Sequence, residues 1–460
     1  MYMLIHQLSD MVDEWFTTKS VPNEVWHTLA AEDNLRRLLR YRLEGGISLS
    51  KCSTLLKGDG VKNTSYGWCS ESLHQIGSLL PSVVDWQGQV YYISDELYYI
   101  GHCPILVTVD PVSGAMLSIS KEARLTKEAW INHWKGLSEQ GIQALGLSCD
   151  EGVALQAARQ DYLKQVPFQP DTFHAITHQF YKIEQALLRK ARQAIKKEYT
   201  LLKALDSLVK PSVIERKTAK YLDKKQASVK AIEMLEDFQW LYHHLRRQFK
   251  VIRSNGQVRP RQFAEGEAQA ALDLLFEMPI DWKTIPEQVN KVFPDLFNFL
   301  DTAEHMQEQL LQLIEPSILP FWMSYWQYQR SLINLKKAAA KKRLKQRFQW
   351  LQHLLQQYEK QHPQLAAFEK KCVFAHLNSV IQSSSIVECA NSILRPYIQQ
   401  AREQISQQML NLIMFYHNHR IFLRGKRKAN APIELLTRKR LDHNWLDLLI
   451  NKVKNNSHLI

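Results

Sequence analysis

The feature that most constrains the fold is one stretch, Val90 to Ser120: VYYISDELYYIGHCPILVTVDPVSGAMLSIS. It is dense in β-branched and aromatic residues and reads as three short strands, Val90 to Ser94, Pro104 to Val109 and Ala115 to Ile119. Asp110-Pro111-Val112-Ser113-Gly114 joins the last two as a turn-forming cluster. Three strands so close together commit this part of the chain to a sheet. The first strand runs into an acidic pair, Asp95-Glu96. Carboxylates closing an apolar strand are out of place in a plain sheet and call for partners.

The next residues supply candidates. Lys127 to Gln140 has helical spacing, with Ala129, Ile131, Trp134 and Leu137 on one face. Ala144 to Ser148 is a short apolar strand running into Cys149-Asp150-Glu151-Gly152. A second acid, 55 residues after Asp95, thus stands at the end of a second strand. Val153 to Lys164 reads as a helix, Val166 to Phe168 as a fifth strand, and a helix begins near Asp171. A third acid lies in SSSIVECANSILRPYIQQA. There Ser384 or Ser385 can cap a helix from Ile386, and Glu388, Asn391 and Arg395 fall at i, i+3 and i+7 on one face. A carboxylate flanked this way suits a metal ligand, with Arg395 clamping a phosphate and Asn391 bonding sugar or base. Glu96 and Asp85 rival Asp95, although Asp85 precedes the strand; Asp110 is better read as a turn residue. Glu151 points into the following helix.

Composition narrows the partner. The 460 residues carry a formal charge of +13, which favours a polyanion, nucleic acid before membrane. No run approaches 18 apolar residues, so no transmembrane helix is expected. MYMLIHQLSD lacks the regions of a signal peptide, and its abrupt start leaves the completeness of the native N-terminus open. Six cysteines form no CxxC and no Cys/His cluster, which argues against zinc or disulfides and for a reducing compartment.

Together YISDELYYI, LSCDEGVAL, DTFH, SSSIVECANSILRPY and FYHNHRIFLRGKRKANAPIELL resemble the motifs of bacterial insertion-sequence transposases of the DDE type. The resemblance spans about Val90 to Leu436. It implies an α+β (α/β) fold with an RNase H-like mixed five-stranded sheet flanked by helices. It also implies an acidic triad of Asp95, Asp150 and Glu388 holding two Mg²⁺ (or Mn²⁺) ions, and a basic residue at Arg395. The DxFH segment falls on Asp171, Phe173 and His174, with His174 an accessory candidate. The implied activity is metal-dependent hydrolysis and strand transfer at the ends of a mobile element. The implied partners are element-end and target DNA and a homodimer or higher oligomer on DNA, with no membrane. The implied location is the bacterial cytoplasm, at the nucleoid. The step from Asp150 to Glu388, 238 residues, exceeds that of compact members and implies a large all-α insertion. Rival functions are a non-catalytic DNA-binding descendant of a transposase and an RNase H-like nuclease without strand transfer.

The remaining chain is assigned around that centre. Residues 1–84 read as an N-terminal helical region. Glu32 to Glu44 forms one helix; Leu49 to Lys57 and Thr64 to Ile76, separated by Gly58-Asp59-Gly60, suggest helix-turn-helix. Ser65, Tyr66, Ser70 and His74 would then face DNA. Residues 85–175 and 376–436 form the two parts of the catalytic domain, 176–375 the helical insertion, and 437–460 a tail whose last residues look frayed. SILPFWMSYWQYQRSLINLKKAAAKKRLKQRFQWLQHLLQQY reads as one long helix, aromatic first and basic later. Lys336, Lys337, Lys341, Lys342 and Arg343 are candidates for tracking a DNA backbone. Trp322 and Trp326, at i and i+4, are candidates either for stacking on a flipped base or for the core. After Glu388 the helix is expected to reach about His417. Arg420, Arg424, Lys426 and Arg427 form a backbone-binding set in the basic loop that follows.

Overall fold

A computed structural model of the chain describes residues 23–62, 64–97, 103–206, 210–334, 338–401, 405–425 and 427–455. They divide into two compact units: Met1–Leu145 with Ala157–Lys164 and Ser385–Ile460, and Gly146–Gln156 with Gln165–Ser384. The secondary structure is mixed, α with β, and mostly helical.

The first unit opens with α1 (Asn23–Leu39), which widens into a π-helical turn at Arg40–Glu44. Next come α2 (Leu49–Gly58) and α3 (Tyr66–Ser78). The turn between them uses Gly60 at φ +80°, a backbone position that favours glycine. Ser65 is the N-cap of α3, accepting a bond from the Trp68 amide, one residue beyond the expected cap at Thr64. Ser65 itself is exposed.

The sheet has five strands: β1 (Gly88–Leu97), β2 (Ile105–Val109), β3 (Met116–Lys121), β4 (Ile142–Cys149) and β5 (Phe168–Pro170). Their order is β3-β2-β1-β4-β5. β1 and β2 run antiparallel, as do β2 and β3, whereas β4 and β5 are parallel. The division between units falls within β4, between Leu145 and Gly146. β1 does not stop at Ser94. It continues through the acidic pair, with Asp95 opposite Val107 and Glu96 opposite Leu106, because β2 still offers main-chain partners there. Helix α4 (Lys127–Glu139) covers β3 with Trp130 and Trp134 fully buried, and α5 spans Val153–Tyr162. The Trp134 indole donates to the Ser94 hydroxyl of β1.

The returning segment is not one helix to His417 but two: α14 (Ser385–Gln400) and α15 (Gln407–His419). α14 packs on β1 and β2, and α15 packs on β3 and α3. The contact with α3 is close. A Cβ built on Gly77 would lie 2.2 Å from the Gln408 carbonyl oxygen. Gly77→Val is therefore expected to destabilise this unit by about 3 kcal/mol or more, since backbone cannot step aside. Gly67→Ala, where the only neighbour is the Ser65 hydroxyl at 3.7 Å, should be nearly neutral. Urea unfolding compares the two; equal midpoints would remove the close-packing argument. The tail is ordered through α16 (Pro432–Thr437) and α17 (Trp445–Asn455), the latter tied to α1 by Arg36–Asp447 at 2.6 Å and Lys454–Glu32 at 2.7 Å. The expectation of a frayed end fails for 451–455, because Leu449, Ile450 and Val453 are buried.

The second unit is helical beyond β5. A π-helical turn, Phe173–His178, leads into α6 (Gln179–Asp206), which packs along α7 (Pro211–Gln248). Phe180, Phe238, Tyr242 and Trp282 form an aromatic core there. Then follow α8 (Arg261–Glu277), α9 (Ile285–Val292), α10 (Asn298–Leu311), α11 (Leu319–Asn334), α12 (Ala338–Gln361) and α13 (Pro363–Asn378). The single long helix expected over residues 317–358 is two helices packed on each other. Tyr325 and Phe348 have ring centroids 5.0 Å apart, whereas in one straight helix they would be separated by about 35 Å. Folding back lets the aromatic face of α11 be covered by α12 and α13.

Candidate acidic site

Asp95 is placed by the β1–β2 register. Its Oδ1 accepts from the Glu96 amide at 2.9 Å, and its Oδ2 accepts from Asn391 Nδ2 at 2.7 Å. Asn391 lies on α14 and is completely buried. It cannot serve as the sugar or base contact read from its position; its amide holds the Asp95 carboxylate instead. Its Oδ1 is buried without a hydrogen-bond partner among the described residues, so the amide is oriented by that single bond.

Glu388 sits in the first turn of the same helix, one turn before Asn391, where the helix N-terminus favours a negative charge. Its carboxylate meets Arg395 at 3.1 Å, and both side chains are more than two-fifths exposed. An ion pair that exposed contributes little, about 0–1 kcal/mol, and leaves both groups free to rotate to a ligand. Asp150 follows β4, with Oδ1 accepting from the Gly152 amide and its carbonyl from Gln156 Nε2. Asp95, Glu96 and Asp150 are all half-buried. Carboxylates offer oxygen donors, the ligand type a hard divalent cation such as Mg²⁺ or Mn²⁺ takes.

The two ends of the long insertion are tied to each other within the second unit. Asp171, 3 % exposed, accepts from the Phe173 and His174 amides through Oδ1. Its Oδ2 accepts from the Ser384 amide at 2.9 Å and from the Ser384 hydroxyl. Beside it, the amide and hydroxyl of Thr172 both donate to the Gln382 carbonyl. The segment leaving β5 is thus clamped to the segment that ends at Ser384, directly before α14. An Asp two residues ahead of a helical turn is a capping signal in sequence; the second half of its role, holding Ser384, is not. Asp171→Ala is expected to cost about 3 kcal/mol or more, because several buried donors lose their acceptor. His174→Ala should cost under about 1 kcal/mol, since His174 is over a third exposed and 4.0 Å from Asp171. Thermal unfolding of both variants checks this; equal losses would contradict it.

The other candidates separate. Trp322 and Trp326 are buried, their indoles donating to Glu369 and Asn378. They are core residues and not a platform for a flipped base. Arg427 donates to the Pro111 and Val112 carbonyls, and burial lowers its pKa. It braces the β2–β3 turn in place of a phosphate. Arg420 is half-buried against the Tyr416 and Phe422 rings. Arg424, Lys341, Lys342 and Arg343 are exposed. Tyr66 and His74 are exposed on α3 and, with Ser70 and Arg42, line a cleft of about 720 Å³. Lys336, Lys337 and Lys426 lie outside the described residues. Among the described residues no helix is long and apolar enough to cross a membrane. No protein-family model matches the chain, and no curated protein matches it.

Proposed function

We propose that the chain is a DNA transposase of the DDE type, performing metal-dependent hydrolysis and strand transfer at the ends of a mobile element. The observation that carries the reading is the hydrogen bond from Asn391 to Asp95. It joins the helix of Glu388 to the strand of Asp95, although the whole helical insertion intervenes in sequence. The strand order, three antiparallel strands continued by a parallel pair, supports an RNase H-like sheet. In this reading Asp95, Asp150 and Glu388 hold two Mg²⁺ or Mn²⁺ ions. Two such ions supply activation of the attacking oxygen and stabilisation of the leaving one.

The protein's own groups do the rest. Asn391 fixes the Asp95 carboxylate in one orientation. Arg395 turns from Glu388 to a phosphate next to the scissile bond. α2 and α3 act as a helix-turn-helix, presenting Tyr66 and His74 to the element end. Arg424, Lys341, Lys342 and Arg343 meet the DNA backbone, in keeping with the net charge of +13. Because transposition joins two ends, assembly as a dimer or larger oligomer on DNA is part of the proposal.

The test is incubation with supercoiled DNA carrying the element's ends, with Mg²⁺ or Mn²⁺. Wild type is expected to nick and join. Asp95→Asn is expected to bind the ends and leave them uncut. Cutting by that variant, or cutting in EDTA, would sink the reading. Cutting without joined product would make the protein a nuclease.

A further inference from the structure

The second unit contains a cavity of about 1170 Å³ whose lining includes eight Lys or Arg residues and no Asp or Glu. Its cations come from separate elements. Arg246 and Arg247 end α7, a place where helix termini ordinarily carry positive charge. That habit does not account for the others: Arg253 and Arg259 on the following loop, Arg330 on α11, and Arg343 and Arg347 on α12. Two carboxylates of this unit are engaged outside the lining, Glu267 with His244 and Glu265 with Arg261. The cations also disfavour one another. Desolvation first, then the charges of Arg247, Arg259 and Arg246, lower the pKa of Lys250. Desolvation, with Arg253 and Arg247 adding to it, does the same to Arg259. Such mutual repulsion is relieved when a polyanion enters.

Aromatic rings stand among these charges. Phe173 and Phe263 line the cavity and are each nearly half exposed. The Arg253 guanidinium rests over the Phe263 ring at 5.3 Å. Exposed ring faces interleaved with cations can stack on unpaired bases while the charges follow the phosphates. A duplex hides its base faces and would use only the charges.

We propose that this cleft binds a short single-stranded segment of nucleic acid. The inference stands on the lining of one unit and needs no metal at the acidic centre. Its test is anisotropy of a fluorescein-labelled oligo(dT) in EDTA, with the full chain, so that failure of the nuclease reading leaves it untouched.

The double exchange Arg343→Glu/Arg347→Glu, both exposed on α12 and tolerable for folding, should weaken binding more than tenfold. It should also reduce the salt slope by about 1.4, the share of two phosphate contacts on a single strand. Phe263→Ala should weaken oligo(dT) about 5-fold or more while leaving inorganic polyphosphate nearly unchanged. The polyphosphate arm controls for displacement of Arg253. The proposal is overturned if the double exchange binds oligo(dT) as wild type does. It is overturned equally if Phe263→Ala weakens both ligands alike, or if a duplex of the same length binds more tightly than the single strand.

Discussion

Glu388→Gln should abolish metal-dependent cleavage and leave binding of element ends intact, whereas Glu96→Gln should slow cleavage less than about tenfold. The contrast matters because Glu96 is the neighbour of Asp95 on β1 and the nearest rival in sequence. Two facts favour Glu388 as the working third acid. Neighbours on a strand start from opposite faces, so Asp95 and Glu96 leave β1 on different sides. Asn391 reaches Asp95, which puts this face of α14 on the Asp95 side, and Glu388 is one turn away on that same face. The exposed pair with Arg395 is weak enough to open when a cation and a phosphate compete for its two halves. Loss of a metal ligand removes several kcal/mol of transition-state stabilisation, about 10³-fold in rate. Cleavage rates measured for both variants beside a gel-shift assay decide the matter. A dead Glu96→Gln with an active Glu388→Gln would hand the role to the strand residue.

The stability of the first unit is expected to fall as the solution is acidified from pH 7 to pH 5. Burial pushes His133 down to about 3. Its ring reaches from the helix to the sheet, bonded to Thr108 Oγ1 at 3.0 Å and Ser120 Oγ at 2.9 Å. Burial likewise holds His417 at about 4, opposed in part by the bond to the Gly114 carbonyl. In the unfolded chain both rings titrate near 6.5. Between that value and the folded one, the unfolded chain binds more protons, so stability rises with pH. The contribution is therefore intact above about pH 6.5 and is lost as pH falls toward the folded pKa values. At pH 5 each ring costs about 2 kcal/mol. Glu32, Glu434 and Asp447, all with lowered pKa values, lose their contributions only at lower pH, so the window from 7 to 5 isolates the histidines. Urea midpoints of wild type and His133→Gln across that window supply the check. A flat wild-type profile, or a variant with an unchanged slope, would refute it.

The strands were legible because β-branched and aromatic residues cluster between turn formers, a property of a few adjacent residues. The acids were legible for a similar reason, since Asp95 and Asp150 interrupt apolar runs. The face shared by Glu388, Asn391 and Arg395 follows from helical periodicity alone. Periodicity says that side chains share a face, not what that face meets. Asn391 could be assigned to a ligand or to the interior with equal right until the strand it packs on was known. Trp322 and Trp326 posed the same ambiguity, resolved by Glu369 and Asn378 on α13. Arg427 looked like a phosphate binder in a basic loop, yet the β2–β3 turn supplies carbonyls for its guanidinium.

By itself, then, the sequence determined where most strands and helices lie, that a strand runs into paired acids, and that the chain is net cationic. Each follows from composition or spacing within a short window. Tertiary structure alone decided that the helix over 317–358 folds back on itself, that Asp171 clamps Ser384, and that Asn391 grips Asp95. Those depend on which distant segments touch, and burial against a distant partner leaves no periodic mark on either one. The acidic stretch at the end of β1 was conspicuous from the start; the residue that holds it in place became visible only when the chain had come back to it.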